Sequence, residues 1–243
     1  MMTHYKIEIR NSPGWRQHRV ATLGVSVSSP NWHDEKFAAT LSFAAANFDA
    51  IRIDVTDALY RHSFMAEGLS PKEAMAQANA LGSLWLARHQ DIIDDCKIKP
   101  SIVRWGEWYG HPDYETTLIE FQRAHELNDV LREAVHDDAM EFYRRKQQTP
   151  SLLEQEKSKD FMTEELAVLT LQARALPGVR LYPGEELRCL NVVRAGLVPE
   201  APMGLENEQF AKVKFDKRGH EAVFDGRTAT STGVLQAVKL AAG

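Results

Sequence analysis

The sequence lacks several features that would place a protein in a specialised class. Its two cysteines, Cys96 and Cys189, lie far apart and outside any CxxC pattern. We therefore expect neither a disulfide scaffold nor a structural zinc site. No run of about 18 apolar residues is present, so no membrane span is expected. Residues 1–10 alternate polar and apolar side chains without the hydrophobic core of a signal peptide. These absences favour a cytoplasmic protein.

Common phosphate-binding and metal-binding signatures are also missing. The chain has no GxGxxG and no P-loop, the two standard turns that hold phosphate groups. His125 begins the segment HELND, but Asp129 occupies the position where a zincin helix needs its second histidine. The nine histidines are scattered singly, whereas a metal site needs ligands at set spacing. We expect no metal ion.

Acidic residues outnumber basic ones, 34 against 29, which gives a formal net charge of −5. Proteins that bind a phosphate backbone usually present a basic face. The charge therefore weighs against nucleic acid as a ligand. A tRNA-using enzyme can still be acidic if it holds the acceptor end in a small local patch.

Short β-branched segments alternate with long helical stretches, a pattern typical of a parallel α/β sheet. The 243 residues, of which 44% are apolar, fit a single domain over 1–243. The last predicted strand alternates like an edge or half-exposed strand. The predicted strands cover 18–26, 50–55, 101–105, 178–182 and 209–215.

Helical patterns fill the segments between the predicted strands. Ser70, Pro71 and Glu73 form a capping-box signature at the start of one helix. Residues 196–204 are predicted to connect to the last strand, and the tail from 219 to be loosely attached, with a short helix near 234–240. The other predicted helices cover 34–46, 70–92, 113–146 as one long helix, 152–176, and 183 toward 193.

The segment 23–31, LGVSVSSPN, places Ser26 at the end of a predicted buried strand. The carboxyl ends of strands in an open α/β sheet line the ligand crevice. A serine there, near the positive end of the next helix, could act on an ester whose oxyanion is stabilised. The alternative is that Ser26 only caps a turn and that Ser28, Ser29 or Asn31 caps the helix. Spacing alone favours this second interpretation.

Two further segments carry candidate functional groups. Phe161 and Glu165, in FMTEE, are four residues apart on a predicted helix and share one face. A partly buried carboxylate there could bind an ammonium group, although a solvated acidic face is the simpler interpretation. Tyr182, in LYPGEEL, ends a predicted strand and could face the same crevice as Ser26, or could be a packing residue.

Together these segments resemble the cyclodipeptide synthases, and in particular the subfamily with a Tyr-Pro pair after the fourth core strand. The order and spacing of the segments carry the resemblance over most of the chain. The matching segments are GVSVSSPNWHDEKF (24–37), IRIDVTDALYRHSF (51–64), SPKEAMAQANALGSLWLARH (70–89), FMTEELAVL (161–169) and RLYPGEEL (180–187).

The resemblance implies a Rossmann-like parallel sheet flanked by helices, similar to the catalytic domain of class Ic aminoacyl-tRNA synthetases. It implies no cofactor and no ATP, because the substrates are aminoacyl-tRNAs held by their acceptor ends; neither DNA nor a membrane is expected as a partner. A serine would accept one aminoacyl group, a second aminoacyl-tRNA would extend it to a dipeptide, and ring closure would release a diketopiperazine.

The resemblance also implies residue roles. Ser26 matches the nucleophile, Glu165 the carboxylate that holds the α-amino group, and Tyr182 a hydrogen-bonding and proton-relay residue. Pro183 completes the subfamily pair. The residues that would house the first aminoacyl side chain are Thr22, Gly24 and Val168, with Phe161 beside the amino group.

Two departures from the family pattern leave alternatives open. Phe161 replaces the usual tyrosine, and the helix at 73–89 has only Arg88 as a strong cation beyond its first turn. The chain could therefore be a different enzyme on the same scaffold, binding an adenosyl compound such as S-adenosylmethionine or transferring a single aminoacyl group. It could also be a binding protein without activity. The amino acids used and the oligomeric state stay open.

Overall fold

A computed structural model describes residues 5–10 and 12–217 of the chain. One six-stranded sheet has the order β1-β6-β5-β2-β3-β4. All neighbouring strands are parallel except β1, which runs antiparallel to β6. The predicted α/β class is confirmed. The strands are β1 (Tyr5–Arg10), β2 (Val20–Ser26), β3 (Ala50–Thr56), β4 (Ser101–Arg104), β5 (Gly178–Tyr182) and β6 (Glu208–Lys217).

The five predicted strands are present, and β1 is the strand that the sequence analysis missed. The alternating pattern of this segment argues against a signal peptide, and it is also the pattern of a half-exposed strand. Strand β6 is half-buried as expected, but it lies inside the sheet, between β1 and β5. The predicted tail and its short helix near 234–240 lie outside the described residues.

Seven α-helices are described, and most agree with the predicted segments. The Ser70–Glu73 capping box is present at the start of the third. Within the described part of the chain, no helix is long and apolar enough to cross a membrane. The helices are α1 (Asp34–Asn47), α2 (Arg61–Ala66), α3 (Pro71–Asp94), α4 (Tyr114–Leu127), α5 (Asp129–Arg145), α6 (Leu152–Ala175) and α7 (Arg188–Arg194).

Two helix predictions are wrong, and both errors come from end caps. The segment predicted as one helix over 113–146 breaks at Asn128, whose backbone is extended (φ −114°, ψ 115°) and whose side chain accepts a hydrogen bond from the Leu131 amide. The helix predicted to start at 183 begins at Arg188. Its first amides donate to the Asp138 carboxylate of α5, at 3.0 Å from Arg188 and 2.9 Å from Cys189. Such a cap from another helix leaves no local sequence signal.

Apolar side chains cover one face of the central strands. Leu23 and Val25 of β2 belong to a core cluster with Phe37 of α1 and Trp85 of α3. A second core cluster gathers residues of α4, α5, α6 and α7. Because side chains alternate along a strand, Thr22, Gly24 and Ser26 share the face of β2 opposite to Leu23 and Val25.

The second face of the central strands carries a buried ionic network. The Arg180 guanidinium of β5 donates to Glu208 at 2.7 Å and to Gln172 of α6 at 2.7 Å, and lies 3.4 Å from Asp54 of β3. Arg52 lies 2.7 Å from Asp54. Burial raises the pKa of Asp54, and the two guanidinium groups act against that rise. The network therefore connects β3, β5, β6 and α6 through charges that depend on one another.

Removing the central cation should destabilise the fold severely. Arg180→Ala would leave Glu208 and Asp54 buried without their shared partner, a change that typically costs about 3–5 kcal/mol. Urea unfolding gives the free energy. The control is Arg188→Ala, which breaks an exposed ion pair with Asp137 and should cost at most about 1 kcal/mol. Equal stability of the two variants would contradict the assigned role of Arg180.

Candidate active site

Ser26 ends β2 and is half-buried. Its Oγ lies 2.6 Å from the phenolic oxygen of Tyr60, and that same oxygen lies 2.5 Å from Ser28 Oγ. Tyr60 belongs to a 3-10 helix that follows β3. Because β2 and β3 are adjacent and parallel, their carboxyl ends bring the serine and the phenol together at one edge of the sheet.

The turn after Ser26 differs from the predicted one. A 3-10 helix, Pro30–Trp32, intervenes, and Ser29 accepts a hydrogen bond from the Asn31 amide at its start. Helix α1 begins only at Asp34, so its positive end does not directly follow the serine. Of the serines considered as caps, Ser29 has that role.

Tyr182 ends β5, on the other side of β2 from β3. Burial raises the pKa of the Tyr182 phenol well above its usual value, and the nearby Glu165 and Tyr60 raise it further, whereas a hydrogen-bonding interaction with Ser26 lowers it. Its ring packs against Trp32 and Phe210. The phenol therefore stays protonated beside Ser26 and Glu165.

Glu165, on α6, is a half-buried carboxylic acid. Its Oε2 is sealed from solvent and makes no hydrogen bond to any described residue. Burial raises the pKa of Glu165 to about 7; the Arg180 charge lowers it and Asp138 adds to the rise. A carboxylate without a partner in a partly dry site is suited to bind a cationic group.

The neighbouring Glu164 is in the opposite situation. Its carboxylate receives hydrogen bonds from Arg61 (2.8 Å), His62 (3.0 Å), Trp105 (3.0 Å) and Tyr109 (2.8 Å). Burial raises its pKa, but the bonds from His62 and Arg61 outweigh that effect and hold the pKa at about 2. Glu164 is therefore ionised and fully satisfied, and it anchors α6 to α2.

Phe161 lies one helical turn before Glu165. Its ring stands edge-on to Tyr60, with centroids 6.4 Å apart and planes at 89°, and lies 6.5 Å from the His62 ring. Of the residues predicted for the site, the structure therefore brings together Ser26, Glu165, Tyr182 and Phe161. Tyr60 is the member that sequence reasoning missed, and its position just after β3 was the available signal.

The three residues predicted to house a side chain are all buried. Val168 belongs to the second core cluster and Thr22 is fully buried. A Cβ atom added at Gly24 would lie 2.9 Å from Nη1 of Arg180. The space beside Gly24 is thus occupied by the guanidinium, which the sequence analysis did not anticipate.

Metal-ligating residues do not converge at this edge or elsewhere in the described chain. Within residues 5–10 and 12–217, no group of three or more His, Cys, Asp or Glu side chains is placed to hold a metal ion.

The comparisons with known proteins settle the family. The sequence model of the cyclodipeptide synthases matches residues 12–180, which is more than half of the chain. The chain belongs to the cyclodipeptide synthase family. The family part of the resemblance is confirmed, and with it the prediction of an enzyme. No curated protein matches the chain.

Solved cyclodipeptide synthases share the fold of this family member. The structure from Fluoribacter dumoffii has a TM-score of 0.78 at 23% identity, covering 87% of this chain and 98% of its own. A Mycobacterium tuberculosis protein, presented as evidence that these enzymes are related to type I tRNA synthetases, has a TM-score of 0.68 at 18% identity, covering 89% and 95%. The enzyme from Candidatus Glomeribacter gigasporarum, bound to Phe-tRNA, has a TM-score of 0.64 at 17% identity, covering 88% and 92%.

The raised pKa of Glu165 should appear in the pH dependence of the free energy of unfolding. With a native pKa of about 7 against an ordinary value of 4.5, the native state binds more protons than the unfolded state between these values. Stability therefore falls as pH rises from 5 to 8. Glu165→Gln should remove that fall. Between pH 5 and 8, the free energy of unfolding of the wild type should therefore decrease by up to about 3 kcal/mol relative to that of the variant.

Urea unfolding at a series of pH values measures this difference. Glu133→Gln, at an exposed glutamate of α5, is the matched control and should follow the wild type. Parallel pH profiles for the wild type and Glu165→Gln would show that the carboxyl group has an ordinary pKa.

Proposed function

We propose that this cyclodipeptide synthase takes two aminoacyl groups from aminoacyl-tRNAs and releases them as a diketopiperazine, through an ester on Ser26. One observation carries the proposal: a half-buried serine at the carboxyl edge of the sheet, hydrogen-bonded to Tyr60 and beside Tyr182, which in turn lies near Glu165. The family match favours this reaction over the adenosyl-binding alternative.

In the first step, Ser26 Oγ attacks the ester carbonyl of the first aminoacyl-tRNA. The new bond joins Oγ to the carbonyl carbon, the carbon–ribose oxygen bond breaks, and the proton that Ser26 loses is passed to the departing ribose oxygen. The ester is already activated, so no nucleotide is consumed, and the covalent intermediate divides one difficult step into easier ones.

In the second step, the amine of the serine-bound aminoacyl group attacks the ester of the second aminoacyl-tRNA. The carbon–ribose oxygen bond breaks, the second tRNA leaves with a proton lost by the amine, and a dipeptidyl ester stays on Ser26. The terminal amine of this dipeptide then attacks the Ser26 ester carbonyl. Ring closure releases the diketopiperazine and returns the serine hydroxyl with its proton.

Glu165 and Tyr182 have complementary tasks in this scheme. Oε2 of Glu165 is without a hydrogen-bond partner among the described residues, and the carboxylate would bind the α-ammonium group of the first aminoacyl residue. Tyr182 keeps its proton and would donate to oxygen atoms at the reacting carbon or relay a proton to the leaving group. Tyr182 and Pro183 together support membership of the Tyr-Pro subfamily.

A lysine-rich surface beside the site could hold the acceptor end of tRNA. Lys36, Lys212, Lys214 and Lys217 line a cavity of about 370 Å³ that also includes Pro183. Lys212 pairs in register with Tyr182, so this lysine cluster borders the same edge as Ser26. A local patch of this kind reconciles the net charge of −5 with phosphate binding.

The lysines are only partly neutralised by acidic neighbours. Lys212 is paired with Glu185, and Lys214 lies 2.9 Å from Asp216 and 3.6 Å from Glu8. Lys36 donates to Asn31 at 2.7 Å and lies over the Phe215 ring. The similar Glomeribacter enzyme, solved with Phe-tRNA, supports aminoacyl-tRNA as the partner.

Loss of the serine hydroxyl should abolish the product. Mass spectrometry of culture medium should detect a diketopiperazine for the wild type and none for Ser26→Ala, because no acyl group can be held on the enzyme. The control is Ser158→Ala, whose hydroxyl only bonds the backbone of α6, and its yield should be unchanged. Normal yield from Ser26→Ala would end the proposal.

Loss of the lysine cluster should weaken tRNA binding. Lys212→Ala with Lys214→Ala removes two phosphate-binding charges, so the affinity for aminoacyl-tRNA should fall and the slope of log K against log salt should become shallower by about 1–2. The control is Lys97→Ala with Lys99→Ala, two exposed lysines just before β4. Strand β4 is the edge strand on the side of the sheet away from β6. Equal affinities of the two double variants would place tRNA elsewhere.

A further inference from the structure

The hydroxyl of Tyr60 makes both of its hydrogen bonds to serines at the candidate site. Its oxygen lies 2.6 Å from Ser26 Oγ and 2.5 Å from Ser28 Oγ. A phenol has one proton, so it donates to at most one of the two serines and accepts from the other. Packing of the ring needs no hydroxyl at this place, because a phenylalanine would fill the same volume.

The direction of these two bonds decides whether Ser26 can attack. If Ser26 donates to Tyr60 and Tyr60 donates to Ser28, the serine proton points away from the substrate and the Oγ lone pairs are free. In the reverse arrangement, the phenolic proton occupies a lone pair of Ser26. Ser28 is exposed, so it can accept from Tyr60 while it donates its own proton to water, which permits the first arrangement.

Tyr60 is held in place from its amino-terminal side by Asp57. The Asp57 carboxylate is fully buried and accepts hydrogen bonds from the Ala58 amide at 2.7 Å and from Arg104 Nε at 2.6 Å. The backbone carbonyl of Asp57 accepts a hydrogen bond from the Tyr60 amide at 2.9 Å. A Cβ atom at Gly82 of α3 would lie 2.2 Å from the Asp57 carboxylate. Only glycine allows this close approach of helix and turn.

The carboxyl-terminal side of Tyr60 is equally constrained. The next residue, Arg61, donates to the buried Glu164 at 2.8 Å, and Phe161 of the same helix packs edge-on against the Tyr60 ring. The phenol therefore sits in a fixed frame on both sides. Fixed geometry of this kind removes the cost of orienting a group at the moment of reaction.

We propose that Tyr60 is a further catalytic residue: its phenol accepts the Ser26 hydrogen bond, donates to Ser28, and so orients the nucleophile for attack on the aminoacyl ester. The inference rests on the proposed function of Ser26. It assigns Tyr60 and Ser28 to the acylation step and leaves Tyr182 to act from the other side of the serine.

The test measures single-turnover acylation of the purified, full-length enzyme. The probe is the aminoacyl-tRNA charged with an amino acid found in the wild-type diketopiperazine, labelled in the aminoacyl group. Tyr60→Phe should lower the acylation rate at saturating tRNA about tenfold, as expected for one lost hydrogen bond to a reacting group. The half-saturating tRNA concentration and the melting temperature should stay unchanged.

Two further variants separate orientation from structure. Tyr143→Phe removes a phenolic oxygen from α5, where the ring packs on Phe142, and should acylate at the wild-type rate. Ser28→Ala should lower the rate in the wild-type background but cause no additional loss in Tyr60→Phe, because the two groups act through one chain of hydrogen bonds.

The outcomes distinguish this inference from the proposed function. Acylation of Ser26→Ala would overturn both. If Ser26→Ala is inactive while Tyr60→Phe acylates at the wild-type rate, only the role of Tyr60 is overturned. The same holds if Ser28→Ala lowers the rate equally in both backgrounds. If Tyr60→Phe is poorly folded, Ser28→Ala alone decides, since an unchanged rate there would contradict the orientation of the hydrogen bonds.

Discussion

The buried carboxylate of Glu164 is the contact on which the geometry of the site depends. It joins α6 to Arg61 and His62 at the start of α2, and to Trp105 and Tyr109 beyond β4. An ionised group at this depth is tolerated only because every oxygen has donors. The same contact places Phe161, on α6, against the Tyr60 ring.

Two adjacent glutamates of α6 show how burial and partners, rather than residue type, determine acidity. Glu164 has a pKa of about 2 and Glu165 a pKa of about 7. Both are withdrawn from water, which favours the neutral acid. Glu164 is surrounded by donors, whereas the Oε2 of Glu165 has none. One carboxylate is therefore structural, and the other is left with an unpaired oxygen, which is what its proposed role in binding an ammonium group requires.

Local sequence patterns predict most of the helices and strands, but they do not predict the helix ends that depend on caps and tertiary contacts. The short β-branched run predicts strand β5, and the helical pattern predicts the limits of α6. The spacing of Ser70 and Glu73 predicts the capping box. The break at Asn128 and the late start of α7 at Arg188 were missed, since a polar cap and the Asp138 carboxylate decide them. The single domain over 1–243, the cytoplasmic location and the Tyr-Pro subfamily stay predictions.

The sequence by itself determined the α/β class and the family. The alternation of strands and helices, and the order of five short segments, can both be recognised without coordinates. It also placed Ser26 and Tyr182 at strand ends, where parallel strands expose their carboxyl termini. Only the tertiary structure brought Tyr60 to Ser26, filled the space beside Gly24 with Arg180, and distinguished Glu165 from Glu164. These outcomes depend on contacts between residues far apart in the chain, and neither composition nor periodicity records which side chains will meet.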